Sequence, residues 1–344
     1  MSLPPGSEAQ AHLPATDRIS TLPILVLNVH NRCNCRCIMC DIWKKVDGGG
    51  IRLAELERHR QAIRRLGVTW VVFTGGEPLL HEDVSGISTF FREQGIRVTL
   101  LTTGLLLKRR ADEVARSFDD VIISLDGPPE VHDEIRRVRG AYSMIGEGVA
   151  AVRRLCPQLR ISCRTTVQKV NRNHLRSTVA TARSLGLSSI SFLAVDVTSE
   201  AFNRAVPWPR ERQDEVRLNS QEVDELEHEF ECLVQENAED IQSGFIAENA
   251  VKLRRIVEYF RAHLGQASFV APQCNAPWAS AVIETDGSVR PCFFHRASGN
   301  WSTGQLDEVL NSTEAREFRR SLDIARNPVC QRCVCSLYHP SSKP

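Results

Sequence analysis

Six apolar stretches rich in β-branched residues recur along the first two hundred positions, at 24–29, 68–73, 96–101, 121–125, 159–167 and 189–194. Helical periodicity separates them at 53–66, 84–94, about 105–117, 142–155 and 174–185. Strands that alternate with helices at this pace cannot pair as hairpins. They form a parallel sheet with helical crossovers. Six such units curl into an open barrel more readily than a flat sheet, which periodicity alone leaves as the alternative, so the expected fold is α/β, a partial (βα)6 TIM-type barrel. A small C-terminal cysteine-rich domain of β-hairpin and helix follows it. The boundaries expected are a disordered leader at 1–22, the barrel at 23–196, a helical linker region at 197–265 and the cysteine-rich domain at 266–344. In barrels of this kind, chemistry gathers at the C-terminal strand ends, and the informative motifs fall there.

The first of these motifs is Asn31 to Trp43, where Cys33, Cys37 and Cys40 are spaced C-x3-C-x2-C. A short loop with that spacing can present three thiolates to three irons of a cubane, leaving one iron open for a cofactor or substrate. A zinc knuckle completed by a fourth Cys or His is the alternative. Cys35 is out of the spacing and is expected to point away. After the second strand comes Gly75-Gly76-Glu77-Pro78. Its glycines allow backbone carbonyls to approach a ligand, and its proline fixes the exit.

Twelve cysteines in a chain without a signal-peptide pattern suggest metal or cluster ligation rather than disulfides. A cytoplasmic location is the matching expectation. The formal charge of +1 gives no reason to expect nucleic acid, and no apolar run is long enough to span a membrane. Near the C-terminal end, Thr285-Asp286-Gly287 reads as the turn of a hairpin that brings Cys274 toward Cys292. Cys330-x2-Cys333 can add two thiolates, which closes either a zinc ribbon or a 4Fe–4S site. His132 and Asp133 read as helix-surface residues, and Asp196, just past the sixth strand, as either a base near substrate or a cap.

Cys33, Cys37 and Cys40, Gly75–Pro78 and Ser124-Leu125-Asp126-Gly127 together resemble the radical S-adenosylmethionine (radical SAM) superfamily, over roughly residues 24–195. The resemblance implies a 4Fe–4S cluster that binds S-adenosylmethionine and yields a 5′-deoxyadenosyl radical. It implies that Gly75, Gly76 and Glu77 hold the methionyl ammonium, and that Ser124, Arg164 and Asn171 meet the carboxylate or ribose, with Asp126 beside them. Leu193 and Ala194 would line the adenine pocket. Met39 stands where the family often has an aromatic residue, leaving only its backbone to serve adenine. Thr102-Thr103-Gly104 replaces the common Thr-Asn-Gly.

The last section resembles the SPASM/twitch extension of that superfamily, with one auxiliary 4Fe–4S cluster on Cys274, Cys292, Cys330 and Cys333. Cys335 either replaces Cys333 as ligand or is a spare thiol, able to return a hydrogen atom to a substrate radical. The function expected is hydrogen abstraction from a small hydroxylated precursor, of sugar or aminocyclitol type, in a closed polar cavity, giving dehydrogenation or epimerisation. A flavodoxin- or ferredoxin-type protein would donate the electron. The alternatives are a maturase of a precursor peptide and a zinc-binding structural protein.

Overall fold

A computed structural model describes residues 17–45, 49–204 and 206–340. The six expected strands are present as β1 (Ile24–His30), β2 (Trp70–Gly75), β3 (Arg97–Thr102), β4 (Asp120–Ser124), β5 (Arg160–Val167) and β6 (Ile190–Ala194). All pair in parallel, in the order β6-β5-β4-β3-β2-β1. Their crossovers are α1 (Leu53–Arg65), α2 (Val84–Arg92), α3 (Ala111–Ser117), α4 (Pro129–Arg136), α5 (Ala141–Leu155) and α6 (Leu175–Ser184). On β5 the residues alternate in burial: Ile161, Cys163, Thr165 and Val167 are buried, while Ser162, Arg164 and Thr166 are half-buried. Side chains on a strand alternate between faces, so one set packs under the helices and the other lines the lumen. β1 is buried throughout because it has a paired strand on both sides.

α4 has no counterpart among the segments expected from periodicity. It places His132 fully inside the protein, where its Nδ1 accepts the Asp126 N–H at 3.1 Å. Burial holds this imidazole down to about 3. Asp133 turns inward as well and accepts the Tyr142 N–H at 2.9 Å, at the start of α5. His132 is thus buried and Asp133 half-buried, because α4 lies between the fourth strand end and α5.

After β6 come α7 (Arg210–Asp214), α8 (Ser220–Glu236), α9 (Ala238–Ser243), α10 (Ala250–His263) and α11 (Ala276–Ala279). The hairpin then forms as β7 (Ser280–Ile283) and β8 (Ser288–Arg290), followed by β9 (Gly299–Asn300), α12 (Leu306–Leu310), α13 (Thr313–Ser321) and α14 (Pro328–Gln331). Gly287 takes φ of 82° at the turn, and an added Cβ would sit 2.6 Å from Trp301. The hairpin does not stand apart. β7 pairs in parallel with β1, from Ile24↔Ser280 to Leu27↔Ile283, so one sheet runs through both regions. Ile24 and Val26 pack against Val282 across this junction.

Of the expected leader, residues 1–16 lie outside the described residues. Residues 17–22 differ from the expectation of disorder. Ile19 and Leu22 are buried, Asp17 pairs with Arg316 and Arg320, and Ile19 donates its N–H to Asn311 at 2.8 Å. Two apolar side chains and a carboxylate with two arginine partners hold them against α13 and its approach. Among the described residues, no helix is long and apolar enough to cross a membrane.

Candidate active site and auxiliary cysteine cluster

The loop after β1 carries Cys33, Cys37 and Cys40, all free thiols. Its backbone is tied to neighbouring segments: Arg36 N–H donates to Arg136 O at 3.3 Å, Ile38 N–H to Ile135 O at 3.1 Å, and Glu77 N–H to Arg32 O at 2.8 Å. Gly76 is required here. A Cβ on it would lie 2.2 Å from the Arg32 carbonyl. The Gly76 carbonyl itself has no hydrogen-bond donor among the described residues.

Burial pushes the Cys40 thiol up to about 12. Cys37 is held down to about 6, first by a hydrogen bond from Cys35 and then by Arg136. Cys35 therefore does not point away. It is buried between Cys33 and Cys37 and hydrogen-bonds both, which drives its own thiol far up. The loop is too short to turn that side chain outward against the packed α4. Arg136, which the sequence reading missed, donates Nη1–H to Cys37 Sγ at 3.5 Å and pairs through Nη2 with Asp126 at 2.5 Å. Burial opposes its charge, yet Asp126 and Cys37 outweigh that and hold the guanidinium protonated. The only sequence trace of this role was an arginine twelve residues after Ser124, with nothing local to mark it.

Several expected cofactor ligands are spent on the protein itself. Glu77 is fully buried, and its carboxylate accepts from Thr102 Oγ1 at 2.7 Å, Thr103 N at 2.7 Å, Thr103 Oγ1 at 2.8 Å and Leu79 N at 3.0 Å. Burial raises this carboxyl, against those hydrogen bonds. It braces the third strand end through Thr102 and Thr103. The Asp126 carboxylate faces Arg136 and the Thr166 N–H at 2.9 Å. The Asn171 amide donates to Asp126 O and Thr166 O and accepts from Gln168 N, so it closes the loop after β5. Asp196 is buried in an ion pair with Arg204 at 2.6 Å and also accepts from Ser199 Oγ at 2.5 Å. Its carboxylate is thus directed into the segment that follows it rather than to a substrate.

Arg204 also donates to Met39 O at 3.2 Å and stacks 3.9 Å from the Trp208 ring centroid. Trp208 Nε1–H in turn donates to Asp41 Oδ2 at 2.6 Å. The segment after β6 therefore grips the exit of the cysteine loop.

Ser124 and Arg164 stand opposite each other in register on β4 and β5. Arg164, Leu193 and Ala194 line a cavity of about 300 Å³. Its further wall is α10 and the C-terminal segment, including Arg255, Tyr259, Cys333 and Cys335. Exposed Lys252, Val270 and Ser336 stand on its rim, so it opens to solvent instead of forming the closed polar chamber expected. Among the described residues β6 ends the sheet, and the only extended backbone on its outer edge is the short bridge at Ile246.

A second cavity, of about 100 Å³, is ringed by Cys274, Cys292, Cys330, Cys333 and Cys335. Among the described residues, no three His, Cys, Asp or Glu side chains already surround one point as a single ion would need. Burial lifts Cys292 to about 11 and Cys330 to about 12, and each thiol feels its neighbours' charge. His295 Nε2 lies 3.4 Å from Cys330 Sγ. Cys335 borders both cavities. Half-buried thiols facing one apolar space suit a group that takes them as thiolates, and the residues present fit an iron–sulfur cluster at each cysteine set.

The radical SAM superfamily profile matches residues 27–182, and that of SPASM, an iron–sulfur cluster-binding domain, matches residues 274–334. Fe-coproporphyrin III synthase of Methanosarcina barkeri is 25% identical, over 90% of this chain and 80% of that protein. The antilisterial bacteriocin subtilosin biosynthesis protein AlbA of Bacillus subtilis is 23% identical, over 89% of this chain and 64% of that protein. SuiB of Streptococcus suis shares the fold. Its crystal structure with S-adenosylmethionine superposes with a TM-score of 0.66 at 15% identity, over 94% of this chain and 74% of that chain. Its complex with the precursor peptide SuiA gives a TM-score of 0.64, over 93% and 72%.

Proposed function

The chain belongs to the radical SAM superfamily and carries a SPASM iron–sulfur cluster-binding domain in its C-terminal part, and from that premise we propose that it modifies a peptide. The observation that carries this reading is the cavity beside β6. It opens to solvent, and its walls include both barrel residues and the auxiliary cysteines. AlbA, named for the biosynthesis of a bacteriocin, and SuiB, crystallised with a precursor peptide, support the same reading. The relatives named above lend nothing to a sugar or aminocyclitol substrate.

When bound, the cluster and S-adenosylmethionine together supply a 5′-deoxyadenosyl radical able to take a hydrogen atom from a substrate. Cys33, Cys37 and Cys40 would hold that cluster, with Arg136 orienting Cys37. The Gly76 carbonyl would take the methionyl ammonium, while Ser124 and Arg164 take the carboxylate from adjacent strands. Leu193, Ala194 and the Met39 backbone would border the adenine. Cys274, Cys292, Cys330 and Cys333 would hold the auxiliary cluster.

Cys335, which borders both cavities, would then remain a thiol able to return a hydrogen atom. That role would make the outcome an epimerisation, whereas electron loss to the auxiliary cluster would make it a dehydrogenation. A flavodoxin- or ferredoxin-type donor is part of the same proposal.

A second reading has one observation in its favour. Arg164, Lys252 and Arg255 border the cavity, three cations against the carboxylates of Glu248 and Glu258, and Glu248 feels the charge of the first two. Such a wall suits a ligand with several carboxylates, and coproporphyrin is one. The test is 5′-deoxyadenosine formation by the anaerobic holoenzyme with S-adenosylmethionine and reductant. Peptides encoded beside the gene should stimulate it and emerge with altered mass. Stimulation by iron coproporphyrin III alone would replace the peptide reading with the tetrapyrrole one.

A further inference from the structure

β6 ends the sheet, so half of its backbone has no strand to pair with. A parallel ladder uses alternate residues of each strand, which leaves Ile190, Phe192 and Ala194 facing outward. Ile190 is already served. It donates its N–H to Phe245 O at 2.7 Å and accepts the Ala247 N–H at 2.9 Å, a parallel bridge centred on Ile246. The bridge stops there because the chain turns away into α10. Phe192 N–H is met by a side chain, Glu248 Oε2, at 2.9 Å. At the far end the Tyr259 hydroxyl donates to Val195 O at 3.0 Å.

Between these two points the Phe192 carbonyl and both backbone polar groups of Ala194 have no partner among the described residues. Both residues line the open cavity, although only 4% of Phe192 and 3% of Ala194 is exposed, because α10 stands beside this edge. An unpaired run of backbone donors and acceptors at strand spacing is matched by another extended backbone.

We propose that the free edge of β6 at Phe192–Ala194 receives an extended segment of the substrate peptide as an added strand, continuing the pairing that residues 245–247 begin. This rests on the peptide reading and gives it a register. A peptide residue opposite Leu193 projects onto the lumen face, beside Arg164. Its two neighbours project to the other face. The edge thus selects which residue of the peptide is presented to the barrel interior, independently of that residue's side chain.

The experiment uses the anaerobic holoenzyme and a displayed library of random short peptides, from which binders are selected. One selected peptide is then resynthesised with a single backbone N-methyl group moved along it. Methylation at alternate positions within one stretch should weaken binding roughly tenfold, the weight of one backbone hydrogen bond, and the intervening positions should be silent. Amide exchange at Ala194 should slow when the unmethylated peptide binds. A flat methylation scan with unchanged Ala194 exchange would overturn edge pairing and leave the peptide reading in place. Failure to recover any peptide would overturn both.

Discussion

At Cys37 a cluster-loop thiol depends on a charge held ninety-nine residues away in sequence. Arg136 is buried and shared between Cys37 Sγ and Asp126. Arg136→Met would strand the Asp126 carboxylate without its partner. The expected loss of stability is about 3–5 kcal/mol, with iron lost selectively from the SAM cluster. Urea midpoints and iron content check it, and Arg136→Lys should recover part of both. Glu77 is a different case, since its carboxylate holds four donors rather than a cofactor. Glu77→Ala is expected to cost about 3 kcal/mol or more. The fraction that remains folded should bind S-adenosylmethionine as before, measured by equilibrium dialysis. A collapse of binding with stability intact would make Glu77 a direct ligand. Gly76→Ala should prevent the cysteine loop from seating, because the clash is with the Arg32 carbonyl and not with a movable side chain. The purified variant should lack the SAM cluster's absorption and iron.

The segment after β6 ties the barrel to the cysteine loop. Asp196, Arg204, Trp208 and Asp41 form one chain of buried polar contacts that ends at the loop exit. On the other side, Glu200 pairs with Arg296, and Phe202 meets Phe294 edge-on, two residues past Cys292. Phe202 and Asn203 adopt left-handed backbone to make this turn, with φ of 59° and 65°. Such angles are costly for a side chain as bulky as Phe, and the contacts on both flanks hold them. Trp208→Phe removes the donor to Asp41 and keeps the ring stack. It should cost about 1.5–3 kcal/mol and hasten air bleaching of the SAM cluster, while the auxiliary cluster fades at its usual rate. Absorption decay in a background lacking either cysteine set separates the two.

The whole molecule is one sheet with a cysteine site at each of two places. With Cys33, Cys37 and Cys40 all replaced by Ala, the protein should remain brown and keep about four irons on the auxiliary cysteines, with no 5′-deoxyadenosine formed. A colourless triple variant would remove the auxiliary cluster from the proposal. The continuity of β7 with β1 makes a further demand. Ile24 and Val26 are covered by Val282, so a chain cut before β7 would expose that face and an unpaired β1 edge. Such a truncation should elute as aggregate on size exclusion, whereas a barrel able to stand alone would elute as a compact monomer.

What the sequence determined by itself is local in origin. Strand and helix periods, the Asp-Gly turn and the spacing of Cys33, Cys37 and Cys40 are carried by neighbours within a few residues. The parallel barrel and the position of its motifs at strand ends were therefore legible. The partners of polar side chains were not. The resemblance makes Glu77, Asp126 and Asn171 cofactor ligands, and Asp196 reads as a base or a cap, yet each is satisfied by groups brought from other segments. Cys35 and Arg136 carried no local mark of their closeness to Cys37, and His132 none of its burial. The open edge of β6 was equally invisible, since an edge exists only once every other strand has found its place. Only tertiary structure decides such matters, because a buried hydrogen bond or ion pair depends on what the fold carries to it from far along the chain, as across the 165 residues between Met39 and Arg204.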